Sequence, residues 1–333
     1  MNSKERLLAR LAGRPVDRIP NLNIVMLFAA KHAGIPYGKF CSDYRALVEA
    51  QTKTAKDFKI DILSTMSDPF RETSDFGAPV RFQEDDLPAC DASILSGPED
   101  FKNLRDFDPL GGGRMNDRIR AVELFKAENG DEFPVLGWVE GPLAEFMDLT
   151  SMSEGMMMLI DDPEFVEEAL DFITDKEIQC AAAQLNAGAD MIGMGDAAAS
   201  LISPVLYREL VFPREKKIAD AIHARGGMLK LHICGNVTHL LPDMIETGAD
   251  IVDIDYMVDY ENSVKLAEGR CSINGNLWPV GLLMQGTPEK IKEETHKLMN
   301  IPSKTSIISS GCEIPKPTPE ENVSAVYEAL TEV

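Results

Sequence analysis

The sequence predicts an α/β fold, a single (β/α)8 TIM barrel, on three observations. Short apolar runs alternate with longer amphipathic stretches along the chain, the pattern of repeated βα units and a parallel sheet. Eight such runs occur, the count that closes a barrel. No linker, low-complexity tract or long charge block divides the 333 residues, so 1–333 reads as one domain.

The N-terminal MNSKERLLARLAGRP has the charge and apolar spacing of an amphipathic helix, and its apolar run is too short and interrupted for a signal peptide. This helical extension leads into the first strand candidate, IPNLNIVML (19–27), followed by IDILSTMSD (60–68). The less regular segment 70–133, with a glycine loop at 111–113, is an insertion before the third strand, PVLGWVEG (134–141). DDPEFVEEALDFITDKEIQCAAAQLNAGAD then reads as an acid-started helix that stops at Asn186-Ala187-Gly188 before the strand ADMIGMGDA (189–197). The same helix–glycine–strand grammar introduces MLKLHICG (228–235) and ADIVDIDY (249–256), and the series closes with CSINGNL (271–277) and TSIISSGC (305–312).

Composition narrows the class. A net charge of −22 argues against nucleic acid, which is bound by basic patches that displace counterions. No apolar stretch approaches the roughly 18 residues of a membrane span, and six cysteines in a long chain without a signal segment suit a reducing compartment, so the cytoplasm is the expected location. Cys41, Cys90, Cys180 and Cys271 read as small apolar residues or bystanders.

In such a barrel the reacting groups come from the C-terminal ends of strands. Those ends carry Asp68, Glu140, Asp196, His232, Cys234, Asp255, Asn274, Asn276 and Cys312. His232 and Cys234 are two apart, so a strand points both to one face. A neutral imidazole with thiolates suits zinc, and Cys312 from another strand end would make a three-ligand site with a fourth position open for chemistry. Asp255, ending the next strand, is a candidate fourth ligand or an orienter of the ligands. Glu140 beside Trp138 is a candidate proton donor whose pKa desolvation would raise, with a helix cap as the plainer role. Asp68 and Asp196 stand likewise between site acid and cap. His223 and His296 fit charged helix faces; His239, one helical turn past Cys234, is within reach of the site, with a helix surface as the plainer role. Met156-Met157-Met158 fits core packing, and Gly193-x-Gly195-x-x-Ala198 lacks the ribose-binding acid of a dinucleotide site.

Across nearly its whole length the chain resembles the uroporphyrinogen decarboxylase superfamily, and within it the corrinoid-dependent zinc methyltransferases. The similarity rests on GRPVDRIP (13–20), SDPFRETSDFGAPVRF, EGPLAEFMDL, the His-x-Cys of LHICGN, GNLWPVGLL and SSGCEIPKPTPEENVSA. No arginine lies between Arg18 and Arg45, where the decarboxylase carries the arginines that clamp its polycarboxylate substrate. The methyltransferase branch uses a His-x-Cys…Cys zinc set, matched by His232, Cys234 and Cys312; Asp255 stands where distant methionine synthases carry a further glutamate. The resemblance implies a Zn2+ cofactor, a corrinoid (cobalamin) brought by a partner protein, a small-molecule methyl donor or acceptor, and a homodimer is a further expectation. The chain lacks the Asp-x-His-x-x-Gly pattern of corrinoid-carrying domains, so the corrinoid arrives on another protein. CEIPKP looks closer to the methyl-donor-specific members, which favours O-demethylation of a phenyl methyl ether onto cobalt(I), with Trp138, Phe146 and Trp278 as an aromatic wall. The alternatives are methyl transfer from a methylcorrinoid to a thiol such as coenzyme M, and porphyrinogen decarboxylation.

Overall fold

The structure, a computed structural model, describes residues 1–102 and 104–332. Its strands are β1 (Leu63–Ser64), β2 (Val80–Arg81), β3 (Ala89–Cys90), β4 (Val135–Glu140), β5 (Met191–Gly195), β6 (Met228–His232), β7 (Ile251–Asp253), β8 (Ser272–Leu277) and β9 (Ile307–Ser310). Seven of them pair in parallel in the order β1-β4-β5-β6-β7-β8-β9, with helices on the connections, a barrel-like curled sheet. The other two form an antiparallel hairpin inside the expected insertion. Every residue of β4, β5, β7 and β9 is buried, which is why these strands read as apolar runs and not as alternating ones.

The first expected strand, 19–27, departs from the prediction: it forms no ladder and turns into the helix Leu27–Ala33. Its donors are diverted. Pro20 has no N–H, the Asn21 N–H goes to Asp61 Oδ2 at 2.7 Å, and the Asn23 N–H goes to Asn21 Oδ1 at 3.2 Å. The segment still lies between the two sheet edges. Asp61 N donates to Asn21 O at 2.7 Å, while Ser310 N donates to Asn23 Oδ1 and Ile314 N to Ile24 O, at 2.8 and 2.9 Å. The second expected strand keeps only Leu63–Ser64 in the ladder. Just before it, the fully buried Asp61 is clasped by Arg6 at 2.8 Å and Arg18 at 2.6 Å, which ties the N-terminal helix Ser3–Leu11 to the barrel.

Elsewhere the helix grammar holds. Asp162 caps the helix Pro163–Asn186, which ends before Gly188 at φ +111°. A second Gly-Ala-Asp turn has Gly248 at φ +93°. Both turns end in an aspartate that secures the start of a neighbouring strand: Asp190 accepts from Val135 N at 3.0 Å and Asp250 from Leu229 N at 2.8 Å. Of the methionine run, Met156 and Met158 pack on the core, whereas Met157 is exposed. Among the described residues no helix is long and apolar enough to cross a membrane.

Candidate metal centre

One rung of the sheet sets up the site. Glu140 of β4 pairs with Gly195, Gly195 with His232 of β6, His232 with Asp253 of β7, and Asp253 with Asn274 of β8. Paired residues of a parallel sheet point to the same side, and Lys230, two before His232, points there too. Gly195 contributes no side chain, so β5 puts nothing between Glu140 and His232. Its backbone lies under the Trp138 ring, and a Cβ there would stand 2.9 Å from Trp138 Cζ2.

Cys234 follows β6 by two residues, and Cys312 follows β9. Gly311 allows Cys312 to come close: a Cβ at 311 would lie 2.8 Å from Tyr256 N and 2.9 Å from Asp255 Oδ1. The outcome is a compact triad. His232 Nε2 is 3.0 Å from Cys234 Sγ and 3.7 Å from Cys312 Sγ, and the two sulfurs are 3.5 Å apart. A tetrahedron with bonds of about 2.0 Å to nitrogen and 2.3 Å to sulfur has edges of roughly 3.5–3.8 Å; the two separations to Cys312 match it, the His232–Cys234 separation is shorter, and the donor set fits zinc in softness. Among the described residues these three alone form such a group.

The three groups compete for protons. The hydrogen bond from Cys234 is the main influence pulling the Cys312 thiol down, to about 4, and the same pairing pushes Cys234 up. Burial alone would lower the imidazole of His232, but Asp253 and Cys312 outweigh it and raise its pKa to about 9. Asp253 Oδ2 lies 3.3 Å from His232 Nδ1. That carboxylate is itself held by Lys230 and by Asn274 Nδ2 at 2.8 Å, and Ser309 donates to Asn274 Oδ1 at 2.9 Å. This is the carboxylate–imidazole support expected behind a metal ligand.

Asp255 stands outside the triad's grouping. Its oxygens accept the N–H groups of Gly235 at 3.0 Å and Tyr256 at 2.7 Å, which pins the loop that carries Cys234. Glu140 is on the rung but buried, with Oε1 accepting from Arg71 at 2.6 Å and Trp138 Nε1 at 3.2 Å. Burial, partly opposed by Arg71, lifts its carboxyl to about 7. Asp68 is gripped by Arg114 at 2.7 and 2.8 Å, and although burial pushes it up, the arginines hold it below the usual carboxylate range. Asp196 receives the N–H groups of Ala144 and Leu143 at 2.7 and 3.3 Å and so caps the helix Pro142–Thr150. His239 meets Ile202 O at 3.1 Å and stays out of the triad. Of the expected aromatic wall, Trp138 and Phe146 are buried core, while Trp278 is exposed and stacks on Tyr256 at 4.9 Å beside a cavity of about 430 Å³.

Sequence reasoning missed Asp253, Lys230 and Arg71. Asp253 carried a usable signal, since it sits two before Asp255 on the same strand face. Lys230 and Arg71 carried none, because a charged residue in an apolar run does not announce its partner.

The geometry is that of a barrel-like α/β fold with three potential metal donors gathered at the C-terminal ends of its strands. The chain belongs to the uroporphyrinogen decarboxylase (URO-D) family, whose profile it matches over residues 2–333. It is 29% identical to the methylcobamide:CoM methyltransferase MtbA of Methanosarcina acetivorans, over 98% of this chain and 96% of that protein. It is 28% identical to the corresponding MtaA of Methanosarcina barkeri, over 99% and 97%. A solved methyltransferase from Methanosarcina mazei superposes with a TM-score of 0.90 at 25% identity, covering 100% of this chain and 99% of that one. The protein is accordingly an enzyme of the methyltransferase kind.

Proposed function

We propose that the protein transfers a methyl group from the methylcorrinoid of a separate protein to a small thiol, at a zinc ion held by His232, Cys234 and Cys312. The observation that carries this reading is the triad, whose three soft donors converge within 4.8 Å of one another and would leave a fourth position to the substrate. When bound, zinc supplies Lewis acidity that lowers the proton affinity of the thiol. The protein's own contribution is to hold the imidazole in place through Asp253, keep the Cys234 loop fixed through Asp255, and accept the released proton at Glu140. The thiol direction is supported by relatives named as methylcobamide:CoM methyltransferases, so it displaces the ether-cleaving direction expected from CEIPKP. Asp68 and Asp196 act in this reading as supports of the barrel mouth, since their oxygens are committed to Arg114 and to a helix start.

The test is zinc content on anaerobically purified protein together with methyl transfer from methylcobalamin to coenzyme M. About one zinc per chain is expected in wild type, with most of it lost in Cys312→Ser, and a thiol-dependent conversion of methylcobalamin to cob(I)alamin. No zinc after incubation with the metal would end the reading. Phenol release from a methoxyaromatic with cob(I)alamin, without thiol methylation, would reinstate the ether direction.

A further inference from the structure

Behind Glu140 lies a buried charge cluster that the metal triad does not explain. The helix Arg71–Phe76 contributes Arg71 and Glu72, both fully buried. Arg71 Nη2 donates to Glu140 Oε1 at 2.6 Å and lies 3.5 Å from Glu72 Oε2, so one guanidinium serves two carboxyls. Glu72 Oε1 also accepts the backbone N–H of Glu140 at 3.3 Å. Glu177, from the helix Pro163–Asn186, is a further buried acid that the charge of Glu72 acts on. Both oxygens of Glu177 and Oε2 of Glu72 are buried without a donor. Burial, with the charges of Glu72 and Glu140 adding to it against Arg71, pushes Glu177 well above the usual carboxylate range, so it stays neutral.

The other groups facing the cluster do not supply further free positive charge. The helix Pro142–Thr150 adds two more acids, Glu145 and Asp148, and the Arg71–Phe76 helix adds Asp75, whose oxygens take the N–H groups of Arg114 and Met115. Arg114 is spent on Asp68, and Lys176 on Asp106 and Phe107 O.

We propose that Glu72 is a positioning residue for Glu140: it accepts the Glu140 backbone N–H and contests Arg71, which leaves the Glu140 carboxyl free to gain and lose a proton during the reaction. This rests on the function proposed above. In that reaction the carbon–cobalt bond breaks with its electron pair left on cobalt, the sulfur–carbon bond forms, and the S–H bond breaks. One proton must leave the sulfur for each methyl moved, and Glu140 is the carboxyl of this cluster on the rung of His232. Were Arg71 its partner alone, Glu140 would be locked as a carboxylate of low proton affinity. Burial is the main influence that raises the Glu140 carboxyl to about 7, with Glu72 adding to it against Arg71.

The experiment is an infrared pH titration of the zinc-free protein, following the protonated-carboxyl band between about pH 5 and 9. Wild type is expected to lose a band near neutrality that is absent from Glu140→Gln. In Glu72→Gln the midpoint falls by about one unit or more, a tenfold loss of proton affinity. In Glu177→Gln, whose amide mimics the neutral acid, it stays in place. Glu72→Asp, which withdraws the charge from Arg71, shifts it in the same direction as Glu72→Gln and serves if that variant does not fold. A midpoint unmoved in both Glu72 variants, or moved equally in Glu177→Gln, would overturn the assignment. With zinc and methylcobalamin, the acid limb of the methyl-transfer rate follows the infrared midpoint. The infrared shifts without any methyl transfer by wild type would instead count against the proposed function and leave Glu72 as the residue that tunes Glu140.

Discussion

At the rung that carries His232, the neighbouring residue decides how the imidazole is presented. Asp253 faces Nδ1 at 3.3 Å and is the partner that raises the ring's proton affinity against the effect of burial. It also neutralises Lys230, which is buried in the barrel. Asp253→Asn is therefore expected to do two separable things. Zinc affinity falls about 10- to 100-fold, the usual consequence of removing the group behind a metal-bound histidine. Stability falls by about 3–5 kcal/mol, because Lys230 is left as an uncompensated buried charge. The double variant Lys230→Met/Asp253→Asn separates the two: it recovers stability and keeps the weakened affinity, as read by competition with a zinc chelator. Recovery of both would mean that Asp253 acts through Lys230 and not on His232. This residue was within reach of sequence reasoning, since Asp253 and Asp255 share a strand face. Only the register shows which of the two faces the ring, and register is a property of strand pairing.

The helix Pro142–Thr150 shows the same limit at the scale of an element. Its start is legible in Gly141-Pro142, a proline pre-set for the first helical position. Its cap comes from another strand: Asp196 follows β5 and takes the N–H groups of Leu143 and Ala144, with Gly141 essential because a Cβ there would lie 2.3 Å from Asp196 Cβ. Asp196 in turn is acted on by the buried acid Glu215, which accepts from Tyr207. Helical periodicity marks Glu215 only as an inward position and is silent on the acid it meets. Burial raises both carboxyls, Asp196 to about 7 and Glu215 well above the carboxylate range. Between about pH 4, where the unfolded acids ionise, and pH 7 the folded state thus holds more protons than the unfolded one. Stability must fall as pH rises through this window, by about 1.4 kcal/mol per pH unit for each extra proton held. Glu215→Gln keeps the hydrogen bonds and removes the proton, so its melting temperature is expected to match wild type near pH 5 and exceed it near pH 8. Parallel melting curves across that range would show that the pair does not share a proton.

Over the whole molecule, the proposed metal donors come from strand ends that only the curvature of the sheet brings together: Cys234 and Cys312 are 78 positions apart in sequence. The alternation of runs predicted the order of the strands and the rim on which the donors sit, because burial on both faces leaves that record in composition. It did not show how the first segment would join the last, since the join is made by a backbone bond, Ile314 N to Ile24 O, and by a side chain, and not by a ladder. Asn23 supplies that side chain. Its Oδ1 accepts the N–H of Ser310, two residues before Cys312 and 287 from Asn23 in sequence. Asn23→Ala would leave this N–H buried without an acceptor, a cost of about 1–3 kcal/mol. If closure places Cys312, the same variant must also lose zinc affinity, although Asn23 touches no donor of the triad. Denaturant unfolding and chelator competition on one preparation measure both effects. Reduced stability with unchanged affinity would mean that the β8–β9 pairing and Gly311 place Cys312 on their own.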